Sequence, residues 1–487
     1  MGEDRGGFMN DTNWLTRTTT SAQDDAGAVL RAWRTTAKQN QTSVASLLGI
    51  TQQNLSQIEK GVRPVSLDLR RKLVEVLGIA PEDLGLSGGQ ARGLVASDDA
   101  SPEIAASRLH WRSQRRWLNQ NRSTLAQLAA SLYPVECRVP RTPLITHPHW
   151  LSSAPTDLSA FALTLSEQPR PVAVDGSEDA ARAVRPLRVG TTHFERYTAA
   201  IRHLAPPSLF ESRPSYRLLS ASLPKRELGF GLAAYFDKLD VSEALGHEMA
   251  LACMSDGIPA NAGKLRGHLP FRDLIGDPFD PTRRAIIPAI TTLTIRLRRY
   301  PAEPSFLLHW RDPAKVATAG GVYDVIPAGE FQPSSIALWD RTNDFDLWRN
   351  IVREYSEELL GEPEHDGTRT QPIDYDGWNL YRELGQARAD GKVSAFFLGI
   401  GMDALTLAAT MLTVLVIDGD TFERVFGDAV RYNEEGEIVS VGGGAPTAGI
   451  PFTEASVTRM LASEPMASPG AACLALAWKH REHLLGL

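Results

Sequence analysis

Cysteine is nearly absent from these 487 residues. Cys137, Cys253 and Cys473 are far apart, odd in number and set at no metal-ligand spacing, which excludes a disulfide framework and points to a reducing, cytoplasmic setting. A signal-peptide core is also lacking. The first 25 residues are polar and carry Asp4, Asp11, Asp24 and Asp25, so export is not expected. Long apolar runs are missing with one exception, Phe396 to Ile417. There Asp403, glycines and β-branched clusters make the stretch read as buried strands rather than a membrane span. Positive charge is the last shortage. With a net charge of -7 the surface as a whole is not built to coat nucleic acid, and any DNA contact has to be confined to a local basic face.

What is present is ordinary for a folded chain, with 43% hydrophobic and 22% charged residues. The length exceeds a single core and implies about three domains. We expect a disordered leader over 1–25, an all-α module over 26–86, and a linker over 87–186 containing a helix at about 103–132. A mostly helical region over 187–279 follows, and an α+β domain over 280–487 ends in an apolar helix. The linker begins at Ser87 with Gly88, Gly89 and Gly93, and residues 133–185 are rich in Pro, Ser and Thr with little periodicity. Along the helix near 103–132, Arg108, Arg112, Arg115, Arg116 and Arg122 alternate with Trp111 and Trp117. Two readings stand: a basic face near DNA, or a solvated arginine side with tryptophans in the core, which general grounds favour.

Most informative is SVASLLGITQQNLSQIEKG, residues 43–61, where an amphipathic helix, a Gly-centred turn and a second helix follow without spare residues. Val44, Ala45 and Leu48 form the inner face of the first helix, and Leu55 and Ile58 that of the second. Gly49 permits a left-handed turn, and Thr51 is a suitable N-cap. With Leu55 and Ile58 inside, the second helix turns Gln52, Gln53, Asn54, Ser56 and Gln57 outward. Amides make paired hydrogen bonds to adenine edges, while Thr51 and Ser56 are able to touch bases or phosphates. Lys60, Arg63 and Arg31, with Lys38 as a further candidate, would supply phosphate contacts, which dominate affinity. Residues 26–86 carry eight basic side chains (Arg31, Arg34, Lys38, Lys60, Arg63, Arg70, Arg71, Lys72) against five acidic ones (Glu59, Asp68, Glu75, Glu82, Asp83), a local charge of +3.

This stretch resembles the Cro and phage-repressor helix-turn-helix family through LRAWR, SVASLLGIT, TQQNLSQIEKG, Pro64 and the closing LRRKLVEVLGI. The resemblance implies a double-stranded DNA operator as partner and a homodimer on two half-sites. A helical hairpin that merely packs, or one that contacts protein as in an antitoxin, is the alternative.

A second constellation is RNIVREYSEELLG, residues 349–361, in which Glu354, Glu357 and Glu358 fall on one helical face beside Arg353, with Asp346 placed to cap the helix. Such crowding is unfavourable unless a basic partner or a hard cation such as Mg²⁺ neutralises it. Two strands, the turn in VYDVIPAGEFQPS and the REYSEE helix resemble the Nudix fold, a sheet between helices, over about 280–430. The resemblance implies that Arg353 orients Glu354, Glu357 and Glu358 as metal ligands for hydrolysis of nucleoside diphosphate derivatives. The sequence departs from that pattern: Phe345 stands where a glutamate belongs, the interval from Gly329 to Arg353 is about ten residues too long, and Gly361 is shifted. The expectation is therefore a sensor of a nucleotide-like effector and not an enzyme. A metal-dependent hydrolase with an appended DNA-binding module is the alternative.

Other features carry less. His247 and Glu248 lack the second histidine of a zinc-protease motif, and VGGGAPTAG (441–449) lacks the phosphate-loop lysine. The pairs His147/His149 and His480/His483 have no partners at metal-ligand spacing. Together these readings describe a cytoplasmic, nucleoid-associated regulator with no membrane segment.

Overall fold

The computed structural model describes residues 26–31, 33–35, 39–63, 65–77, 79, 84, 101–207, 210–254, 257–259, 261–265, 267–297, 304–311, 321–367, 371–427, 436–439 and 449–487. The expected leader, Lys38, the glycine-bearing start of the linker and the loop over 441–448 lie outside the described residues. The chain divides into two compact units, 1–105 and 106–487.

In the first unit, helical residues 26–31 and 33–35 precede α1 (Gln41–Leu48), α2 (Gln52–Glu59) and α3 (Leu67–Leu77). α1 ends at Gly49, whose φ of +66° is the left-handed conformation that glycine adopts without strain. α2 begins at Thr51, whose side chain accepts the Asn54 amide at 3.2 Å. Val44, Ala45 and Leu48 meet Leu55 and Ile58 in a core that Leu30, Leu69 and Leu73 complete, as their spacing predicts. Gly27 sits on the end of α2: a Cβ there would lie 2.4 Å from the Ile58 carbonyl oxygen.

α4 (Pro102–Ala130) belongs, after its first turn, to the second unit. Trp111 is in the core and Trp117 packs against it, as the second reading expects, but most of the helix's arginines are engaged within the unit rather than simply solvated. Arg108 donates to the carbonyls of Leu187 (3.3 Å) and Arg188 (2.8 Å), and Arg112 to that of Leu204 (3.1 Å). Arg115 lies over the rings of Trp111 and Tyr197 and donates to Tyr197 Oη (2.8 Å) and Glu243 (3.2 Å), which Arg122 also reaches at 3.4 Å. These four bind the unit's own carbonyls and a buried carboxylate; Arg112 and Arg116 are exposed, and Arg108, Arg115 and Arg122 are half-buried. Burial pushes the Glu243 carboxyl up, yet the charges of Arg122 and Arg115 outweigh it and hold the group below its usual range. His247, between Tyr197 Oη (2.8 Å) and Gln114 Oε1 (3.0 Å), is driven down to about 3 by burial and by the Arg115 charge, and so stays neutral.

Residues 133–186, expected as linker, are instead part of the folded unit. β1 (Leu144–Ile145) and β2 (Leu151–Asp157) join the main sheet, β3 (Ala162–Leu165) joins a smaller one, and Ile145, Trp150, Phe161 and Val184 are buried. Each short strand brings only an apolar anchor or two to partners far along the chain, a pattern that leaves no local periodicity. The region expected as mostly helical over 187–279 likewise contains, after α5 (Tyr197–Leu204), the hairpin β4 (Pro214–Ser222) and β5 (Glu227–Ala234). Gly231, read as helical, is on β5, and α6 (Tyr235–Met254) starts only where Asp237 accepts the Ala234 amide at 3.0 Å.

Besides a short two-stranded pair over Leu187–Val189 and Thr192–His193, further strands are β6 (Pro288–Leu297), β7 (Pro304–Phe306), β8 (Leu308–Arg311), β9 (Val322–Val325), β10 (Ala328–Glu330), β11 (Val393–Asp403), β12 (Ala409–Asp418), β13 (Gly436–Val439) and β14 (Ile450–Pro451). Among the described residues β8, β9 and β13 form a separate three-stranded sheet, and the others join β1 and β2 in an eight-stranded sheet in the order β1-β11-β12-β6-β7-β14, with β2 also on β11 and β10 also on β6. β12 and β6 run parallel and every other pair is antiparallel. The apolar stretch 396–417 is thus two sheet strands, and no described helix is long and apolar enough to cross a membrane.

Among the described residues the helices that flank this eight-stranded sheet include α7 (Leu347–Glu358), α8 (Glu454–Ser463) and α9 (Ser468–Lys479). Leu347, Ile351 and Tyr355 of α7 share one core with Ile290, Met411 and Leu415, while Leu474 and Ala477 of α9 share another with Leu293, Leu412 and Val414. The second unit is a mixed sheet between helices, buried on both faces at its parallel centre.

Candidate nucleic-acid interface

The face of α2 opposite Leu55 and Ile58 carries Gln52 and Gln53 exposed and Asn54, Ser56 and Gln57 half-buried, with Thr51, Lys60 and Arg63 exposed around them. Every predicted base-reading residue is therefore on one helix surface, and Arg31 is exposed on the preceding helical segment. The turn beyond α2 closes through Gly61, at φ +70°, and through Val62 and Arg63 amides on the Gln57 carbonyl at 2.9 and 3.2 Å. Arg63 then donates to Asn54 Oδ1, which fixes the amide of Asn54 and sets a cation beside the reading row.

One functional residue escaped the sequence reading. Gln41, at the start of α1, accepts from Gln52 Nε2 at 2.7 Å and donates to Glu59 Oε2 at 2.8 Å. Glu59 in turn takes both Arg34 Nε (2.5 Å) and Arg34 Nη2 (2.9 Å). Burial raises the Glu59 carboxyl, but the hydrogen bonds of Arg34 and Gln41 and the Arg34 charge more than reverse it, so it is ionised well below the ordinary carboxylate range. The chain Arg34, Glu59, Gln41, Gln52 turns one end of the Gln52 amide inward and so determines what the other end offers. A glutamine eleven residues before another has no periodic signature, which is why it went unread.

The same network revises the local charge. Arg34 is spent on Glu59, and Arg70 is buried and donates to the carbonyls of Val65 (3.1 Å) and Leu84. Two of the eight basic side chains counted in this module are therefore internal. Among the described residues, Arg31, Lys60, Arg63 and Lys72 remain exposed for phosphate. Replacing Gln41 with Ala should loosen Gln52 and reduce base discrimination at its position by about 1 kcal/mol, as for one net hydrogen bond. Competition between duplexes that differ at single base pairs measures it.

The acidic helix behaves otherwise than its spacing predicts. Asp346 caps α7, accepting the Arg349 amide at 2.9 Å, as expected. Glu358, however, accepts the Ala328 amide at 2.9 Å, and the Glu354 carboxylate lies against Gly329, where an added Cβ would stand 2.0 Å from its Cδ. Arg353 is buried, donates to the Gln332 carbonyl (2.7 Å) and to Asn350 Oδ1 (3.1 Å), and feels the charges of Glu354 and Glu357. No group of three or more His, Cys, Asp or Glu among the described residues is placed to hold a metal ion. Of the three glutamates expected as Mg²⁺ ligands, Glu358 thus answers to the Ala328 amide and Glu354 lies against Gly329.

Residues 25–85 match the family model described as a helix-turn-helix domain. No curated protein matches the chain. The match covers the amino-terminal module alone and agrees with the order of helices found there.

Proposed function

We propose that this chain is a sequence-specific DNA-binding transcription regulator of the Cro and phage-repressor type, acting as a homodimer, whose second unit is a Nudix-like body that binds an effector without hydrolysing it. The observation that carries the DNA-binding part is the row of amides on α2, exposed on one side of a helix whose other side is core, with Gln52 held by Gln41. A helix of about this width enters the major groove, where Gln and Asn pair with adenine edges. Lys60, Arg63 and Arg31 flank the row and supply the phosphate contacts that set affinity and orientation.

The sensing part is supported by a mixed sheet between helices that agrees with a Nudix-like arrangement. Engagement of Glu354 and Glu358 with their own surroundings favours ligand binding over metal-assisted hydrolysis. The enzyme alternative predicts a metal-dependent release of phosphate from nucleoside diphosphate derivatives that Glu357→Gln and Glu358→Gln abolish.

The test uses the full chain on duplexes selected from a random pool. Gln52→Ala with Gln53→Ala should relax base preference by about 1 to 3 kcal/mol per lost amide pair. Lys60→Ala or Arg63→Ala should instead weaken all duplexes alike and lower the slope of log K against log salt by about one. If the glutamine variants lose affinity equally on every sequence, these side chains are not the readers.

A further inference from the structure

The hairpin that follows α4 holds an arginine in a conformation that favours glycine. Val139 donates to the Leu144 carbonyl (3.0 Å) and Thr146 to that of Cys137 (2.8 Å), and at the tip the Thr142 amide returns to the Val139 carbonyl (3.2 Å). Pro140 is second in this turn and Arg141 third, with φ +66°. A proline followed by a positive φ is the pattern of a type II turn, whose third position is normally glycine or asparagine. The tip is rigid: Thr142 Oγ1 donates to the Val139 carbonyl at 3.0 Å and accepts the Leu144 amide at 3.3 Å, and β1 ties the hairpin to β11. Nothing in the turn itself calls for a long cationic side chain, and strained positions of this kind gather where a side chain has a task.

Arg141 borders a cavity of about 520 Å³ between the last turn of α4, this hairpin and the end of α8. That volume falls in the range of small-molecule sites. Arg138 also lines it and is fixed there by hydrogen bonds to the carbonyls of Tyr133 (2.8 Å) and Ser131 (3.2 Å). Arg141 makes no hydrogen bond or ion pair among the described residues, and none of the described lining side chains is acidic. Beside the two guanidinium groups the lining offers apolar surface from Val135, Pro140 and Leu461 and polar surface from Gln127, Ser131 and Thr142.

We propose that this cavity binds a small organic carboxylate, its charged end on the fork of Arg141 beside Arg138 and its apolar body against Val135, Pro140 and Leu461. A planar guanidinium matches a carboxylate with two parallel hydrogen bonds. Arg138 spends donors on neutral carbonyls but keeps its charge, so it adds a positive field while Arg141 supplies the free fork, and a bare phosphate would leave the apolar surface unused. The binding claim stands by itself; that the ligand acts as an effector rests on the regulatory reading above.

The experiment is calorimetric titration of the full chain with benzoate, hexanoate and inorganic phosphate. Saturable binding of a carboxylate at least tenfold tighter than phosphate is expected. Arg141→Gly should weaken it at least tenfold while leaving the melting temperature unchanged or higher, because glycine relieves the turn. Arg141→Lys should fall between. Absence of saturable carboxylate binding, equal binding by Arg141→Gly, or binding of phosphate alone overturns the site. Affinity for a selected duplex is then measured with and without carboxylate. No change removes the effector role and leaves the site, whereas a chain that prefers no duplex refutes the regulatory reading and leaves the site equally intact.

Discussion

Glu243→Ala is expected to destabilise the second unit by about 3 to 5 kcal/mol, the range for removing one partner of a buried charge cluster. Arg115 and Arg122 both converge on this carboxylate, at 3.2 and 3.4 Å, and its side chain is 5% exposed. Without it two guanidinium groups remain in a region that excludes water, and the stack of Trp111, Arg115 and Tyr197 loses its counter-charge. Urea unfolding of the variant measures the loss. Glu243→Gln, which keeps the shape, should fall between it and the parent. Replacing Arg115, Arg122 and Glu243 together by Met should lose less than Glu243→Ala alone, since no charge is then stranded. A loss below about 1 kcal/mol for the alanine variant, the size of an exposed ion pair, would show that these groups are solvated.

Gly27→Ala carries the second large effect, on the first unit. A methyl there meets the Ile58 carbonyl oxygen at 2.4 Å, and that contact is with backbone, so no rotamer relieves it. Overpacking of this kind costs about 1 to 3 kcal/mol. In a module of this size each kcal/mol shifts the melting temperature by about 4 to 8 °C, and small domains have little stability to lose. The helix-turn-helix transition should move down by several degrees, and duplex affinity should fall with it at temperatures where the variant is partly unfolded. Gln53→Ala, an exposed change on the same module, should leave the melt in place while altering base preference. An unchanged melt for Gly27→Ala would place the leading helix farther from α2 than described.

What was legible in the sequence follows its periodicity. Val44, Ala45, Leu48, Leu55 and Ile58 recur at helical spacing and are all core, and Thr51, Gly49 and Asp346 are cap and turn residues whose chemistry is local. The strands over 393–418 were readable because both faces are buried, which leaves a near-continuous apolar run. Residues 144–165 and 214–234 were not, because their strands are paid for by distant partners rather than by their own pattern. The arginines of α4 had the spacing of a polar face, and Arg112 and Arg116 are exposed on it, yet carbonyls and a carboxylate far along the chain engage Arg108, Arg112 and Arg115. Glu354 and Glu358 show the converse, a correct helix whose side chains answer to Gly329 and Ala328, neighbours that helical spacing does not reveal.

The central claim is that α2 distinguishes base sequences. Fluorescence anisotropy of the full chain with its best selected duplex and with a shuffled one, titrated over a range of salt, tests it most directly. We expect both affinities to fall with salt along similar slopes while the selected duplex stays at least a hundredfold tighter throughout. Equal affinity for the two duplexes at every ionic strength would contradict the account.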